Sequence, residues 1–223
     1  MNEPRPPDRL RRIVGADLRP VRPLPPPWRR SLALVPVSLL LVLFVVGFFG
    51  PRSDLQTLGA AGWGLSSLEV VAGVLLVALA LADAIPGRLV PTRVLAAAFA
   101  LSAALVVGVT AATMAISPTT MPPRLARAFW TYCFRREAMV ALPAVLVAAA
   151  LAARALPLRP VLVGALYGAG AGLFSDAGWR LFCNVSEPAH VLLAHGGALF
   201  ALTIVGAFTS HVASRLRSRP PGS

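Results

Sequence analysis

The chain contains no lysine, two cysteines, three histidines and nine acidic residues in 223 positions. Its 21 basic residues are therefore all arginine, and the formal charge is +12. Charged residues make up 13% of the chain, against roughly a quarter in soluble domains. With 57% hydrophobic residues and a mean hydropathy of +0.72, it reads as an integral membrane protein. No C-x-x-C pair or H-x-x-x-H spacing closes a conventional zinc site. The missing close cysteine pair also speaks against a thiol oxidoreductase. No nucleophile stands with its base and no nucleotide-binding loop occurs, so the chain is not read as an enzyme and no resident cofactor is expected.

What is abundant is apolar sequence. A hydrocarbon core about 30 Å thick takes roughly 20 apolar helical residues to cross. Six runs of that kind occur, at 31–49, 66–85, 94–116, 138–156, 161–179 and 189–209. Backbone groups in lipid must pair within their own segment, so the runs predict an all-α bundle of six transmembrane helices. Pro143 predicts a kink in the fourth. The chain divides into a tail at 1–30, a membrane domain at 31–211 and a second tail at 212–223.

Arginine placement gives the orientation. One side carries Arg5, Arg9, Arg11, Arg12, Arg19, Arg22, Arg29, Arg30, Arg88, Arg93, Arg154, Arg159, Arg215, Arg217 and Arg219. The other carries Arg52, Arg124, Arg127, Arg135, Arg136 and Arg180. Under the positive-inside rule this bias puts both termini in the cytoplasm. Because the arginines lie in tails and gaps, the net charge signals orientation in a lipid bilayer, with no direct nucleic-acid partner expected. Trp63, Trp130 and Trp179 fall at far-side span ends, where indole rings suit the headgroup layer.

On that far face Cys133 precedes the fourth span and Cys183 the sixth. In a Gram-negative host the face is periplasmic, where thiols meet oxidants. The pair reads either as a structural disulfide or inert thiols, or as a redox or metal sensor, with Arg135, Arg136 and Arg180 nearby to favour thiolate. Either a transient heavy-metal ion or a disulfide would engage both cysteines. His190 and His195 are five apart, about 140° on an α-helix, so at most one joins a cysteine; His195, deeper in its span, is the candidate. Glu187 and Pro188 suit a first helical turn with Ser186 as N-cap. Gly164, Gly168 and Gly172 recur every four residues and mark a helix-packing face. Glu69, Asp83, Glu137 and Asp176 fall near span ends.

In the first tail Leu10, Ile13, Val14 and Leu18 share one face of a short helix that Pro20 stops, followed by an extended proline-rich spacer. Such a face suits either the membrane surface or the groove of a cytoplasmic protein.

Three stretches then carry a resemblance. ADLRPVRPLPPPWRR at 16–30, CFRREAMVALP at 133–143 and FCNVSEPAHVLLAHGG at 182–197 resemble the NrsF-type anti-sigma factors, six-span inner-membrane proteins that restrain an extracytoplasmic-function sigma factor. The chain differs from that pattern at Phe182 and Ala194, where relatives carry His and Trp. The resemblance implies a bacterial inner-membrane location and a sigma-factor partner. It implies that Cys133 and Cys183 sense heavy-metal or oxidative stress, and that a tail containing Leu10, Ile13, Val14, Leu18, Arg19, Val21, Arg22 and Leu24 binds the sigma factor. The competing expectation is a small-ion or small-molecule transporter with Glu69, Asp83, Asp176 and His195 along its path.

Overall fold

A computed structural model describes residues 7–17, 23–118, 122–155 and 157–217, and every regular element among them is helical. Helix α1 (Asp8–Asp17) precedes the membrane domain. The first span is α2 (Pro27–Leu32) continued by α3 (Leu34–Phe49). Next come α4 (Leu55–Asp83), α5 (Thr92–Ile116), the short α6 (Pro123–Ala128), α7 (Trp130–Ala153) and α8 (Pro160–Arg180). The last span is compound: α9 (Pro188–Val191), one π-helical turn (Leu192–Gly196) and α10 (Gly197–Arg217). Among the described residues six helices are thus long and apolar enough to cross a membrane. Large apolar residues such as Leu40, Phe48, Leu101, Leu146 and Phe200 are exposed on their outer faces, as lipid rather than water permits.

Two spans begin earlier than hydropathy predicts. The second starts at Leu55 because less apolar residues extend it past Gly59, whose φ of 51° interrupts the helix there. The fourth starts at Trp130. Consequently Glu69 sits in the middle of a 29-residue helix rather than near a span end, and Cys133 lies inside α7. Helix α7 continues on both sides of Pro143. Pro26, with φ −57° and ψ 148°, has the polyproline geometry expected of the spacer. Leu18, Arg19, Val21 and Arg22 lie outside the described residues, as does Pro20. Leu10, Ile13 and Leu24 are exposed.

Helix α8 is the centre of the bundle, packed by α3, α4, α7 and α10 and buried along most of its length. Its glycines allow this. A methyl group on Gly164 or Gly168 would overlap the carbonyl of Gly206 or Leu202 on α10, and one on Gly172 would meet Leu199 at 2.9 Å. On another face Gly73 of α4 abuts Gly170, where a Cβ would stand 2.7 Å from the Gly170 oxygen. Gly178 meets the Val42 backbone of α3. In lipid there is little hydrophobic drive between helices, so such close backbone contact supplies the packing energy. Hydrogen bonds add register: Tyr167 donates to the Gly206 oxygen at 3.0 Å, Ser66 to Ala177 at 2.7 Å and Ser175 to Glu137 at 2.8 Å.

The end of the bundle nearer the termini is closed by Arg159, which pairs with buried Asp83 and donates to the Val90 oxygen at 2.7 Å, and by Arg30, which donates to Leu151. Asp83 is 14 residues from Glu69 on one helix, about 21 Å along its axis, so the four residues of the transporter expectation do not lie together.

The packing makes a stability prediction. G164V and G168V should each lower unfolding free energy in detergent by roughly 1–3 kcal/mol through overpacking. G108V, where a Cβ meets nothing within 4 Å, should be silent in the same thermal assay.

Candidate functional site

The end of the bundle away from the termini gathers both cysteines. Cys133 stands in the first turn of α7 and Cys183 in the connection between α8 and α9, with their Sγ atoms 4.0 Å apart and both side chains buried. The Cys183 amide donates to the Trp179 oxygen at 2.7 Å, so the end of α8 fixes the second thiol. Trp179 is 0% exposed and packs with the thiols, Phe49 and Phe182, its ring 5.0 Å and 5.1 Å from theirs. This corrects the expectation that Trp179 marks a headgroup layer. Its ring is the wall of the thiol site, because α8 is central to the bundle.

The histidines are arranged otherwise than an α-helix would place them. In a π turn hydrogen bonds run i to i+5, so residues five apart come nearly into line. The Leu192–Gly196 turn does this, and the His190 and His195 rings meet edge to face at 5.7 Å. His190 thereby also joins the thiols, with Nε2 3.5 Å from Cys183 Sγ. Glu187 itself caps this helix, accepting from the His190 amide at 2.7 Å, in place of Ser186. A π turn has no signature in the residues here, and span depth together with α-helical phase favours His195 over His190.

His195 reaches Cys183 on one side and carboxylates on the other. Its Nδ1 lies 2.7 Å from Asp176 Oδ1 and 3.0 Å from Glu137 Oε2. Asp176 Oδ2 accepts from Arg180 Nε at 2.9 Å, and the same Nε is 2.7 Å from Glu69 Oε1. Glu69, Glu137 and Asp176 come from α4, α7 and α8 and are all buried. Arg180 also bonds Thr110 of α5 at 3.1 Å. Its charge is thus engaged by carboxylates rather than by the thiols, and that of Arg136 lies over the rings of Tyr132 and Phe49.

This arrangement has definite chemical capacities. Disulfide formation would close a gap of about 2 Å between the thiols. Two sulfurs and an imidazole nitrogen also make a donor set for a soft divalent ion, their atoms lying within 4.8 Å of one another. The bond with Cys133 and burial hold the Cys183 thiol above its ordinary pKa, so a bound ion must displace a proton and binding tightens as pH rises.

Fold and site together define a multi-pass helical membrane protein with a buried thiol–imidazole centre. The family model described as negative regulator of sigma F matches residues 15–215, and the chain belongs to that NrsF family. The family is one of regulators, and its description implies a sigma factor as partner. No curated protein and no solved structure matches the chain.

Deleting Leu193 removes the extra residue of the π turn and should rotate His190 by about 100° away from Cys183. Both this deletion and H190A should weaken Cd(II) binding, followed by thiolate absorbance, by roughly tenfold or more, while L193A should not.

Proposed function

We propose that the protein is an anti-sigma factor of the bacterial inner membrane. Its cytoplasmic N-terminal tail holds an extracytoplasmic-function sigma factor away from RNA polymerase, and a change at Cys133 and Cys183 on the periplasmic side releases it. The observation that carries the sensing half is the 4.0 Å approach of two buried thiols beside His190. Cys133 lies in α7 and Cys183 in the connection that leads into the sixth span, so a bond between them changes how α7 and the sixth span meet. Fifteen arginines in the tails and alternate gaps of the sequence against six in the other gaps support the orientation. The exposed Leu10 and Ile13 of α1 support a tail that docks in a partner's groove.

Two inputs fit the thiols. A soft divalent ion replaces their protons and binds both sulfurs with His190. A two-electron oxidant takes two electrons, leaving the disulfide and two protons. Each ligand state favours a particular separation of α7 from the sixth span. At the other end of the bundle a cavity of about 280 Å³, lined by Ala149, Ala152, Tyr167, Thr209, Ser210 and Ser214, leaves room for the helices to move. Converting a resting population of about 1% released to 99% takes on the order of 5.5 kcal/mol of differential binding, within reach of metal–thiolate or disulfide chemistry.

Two experiments separate the halves. C133S/C183S should abolish induction of the sigma-dependent genes by cadmium or oxidant while repression persists; unchanged induction would remove the sensor role. Deleting residues 1–24 should leave the genes constitutively on and the sigma factor absent from membranes, and continued capture there would remove the tail's role.

A further inference from the structure

The thiol centre leaves a second group of buried ligands unexplained. Glu69, Glu137 and Asp176 face two basic groups, Arg180 and His195. Arg180 makes its close ion pairs with Glu69 and Asp176, the nearest basic atom to Glu137 is His195 Nδ1, and that Nδ1 is already shared with Asp176. Glu137 is 0% exposed and, among the described residues, neither of its carboxylate oxygens has a hydrogen-bond partner of good geometry, although His195 Nδ1 stands 3.0 Å from Oε2. A carboxylate in that position is left without the bonds that burial demands.

We infer that Glu137, Asp176 and His195 form a binding site for a divalent first-row metal ion, separate from the thiol centre. Their donor atoms come within 4.8 Å of one another. The separations of 2.7 Å and 3.0 Å between Nδ1 and the two carboxylate oxygens match neighbouring donors of an octahedral ion, which stand about 3 Å apart for bonds of about 2.1 Å. Asp176 is oriented for the task, since Arg180 occupies Oδ2 and Oδ1 is the oxygen turned to His195. Two carboxylates and one imidazole are harder donors than thiolate, so the site selects manganese, iron(II) or zinc over cadmium or mercury. On binding, the ion replaces the proton held between Nδ1 and Asp176, and that proton leaves to solvent. This inference does not rest on the sensor reading, because it uses neither cysteine.

The test is Mn(II) titration of the full-length protein in detergent, followed by electron paramagnetic resonance. C133S/C183S should bind one Mn(II) per chain as the unmutated protein does, and pulsed spectra should show coupling to one histidine nitrogen. E137Q and D176N should weaken binding tenfold or more while keeping their helicity and elution volume. No Mn(II) bound to C133S/C183S, bound Mn(II) without nitrogen coupling, or undiminished binding by folded E137Q would each overturn the assignment. The titration and the nitrogen coupling decide the matter even if E137Q does not fold. Mn(II) binding in a protein whose genes no longer respond to thiol chemistry would leave this site standing and the sensor reading fallen.

Discussion

Close approach of α3, α4, α7 and α10 to the backbone of α8 is the constraint from which the rest of this structure follows. Lipid tails are as apolar as leucine, so side-chain hydrophobicity alone cannot choose helix partners here. Glycines on several faces of α8 make the choice by letting backbones touch. Because α8 is enclosed, the polar residues Ser175 and Asp176 near its end are buried and Arg180 is largely so, and they must find partners on the neighbouring helices. They find Glu69, Glu137, Thr110 and His195. The charged cluster is a consequence of glycine packing, and the thiol pair is seated on the same helix end through Trp179.

Much of this was legible in the sequence. Six spans, their order and the partnership of two cysteines fifty residues apart follow from apolar run length and connectivity. The glycine spacing in α8 named the face that meets α10. What escaped had specific causes. Hydropathy could not see that α4 and α7 begin outside the most apolar stretch, so Glu69 and Glu137 looked peripheral when they are interior. The π turn changed the phase of one helix by about one residue and moved His190 onto the thiols. Trp179 has the composition of an interfacial residue and the burial of a core one, a distinction that depends on which helix is central.

The two groups of ligands share a border at His195, which touches Cys183 and both carboxylates. A change at the thiols therefore has a short route into the charges that hold α4, α5, α7 and α8 together. Arg52 extends that route outward: it pairs with Asp54 at 2.5 Å, donates to the Arg180 oxygen at 3.1 Å, and through Asp54 reaches Ser117 at the end of α5. On the proposed reading, in which a signal at one membrane face acts on the other, such continuity is needed, since helices must move as bodies to carry a signal across the bilayer.

The central claim is that the state of the thiol centre sets the grip of the tail on its sigma factor. The most direct measurement is the dissociation constant between the protein in nanodiscs and its purified sigma factor, taken reduced and then saturated with Cd(II). The account predicts binding weaker by at least tenfold in the loaded state, with no change in C133S/C183S. Equal affinity in the two states would contradict it.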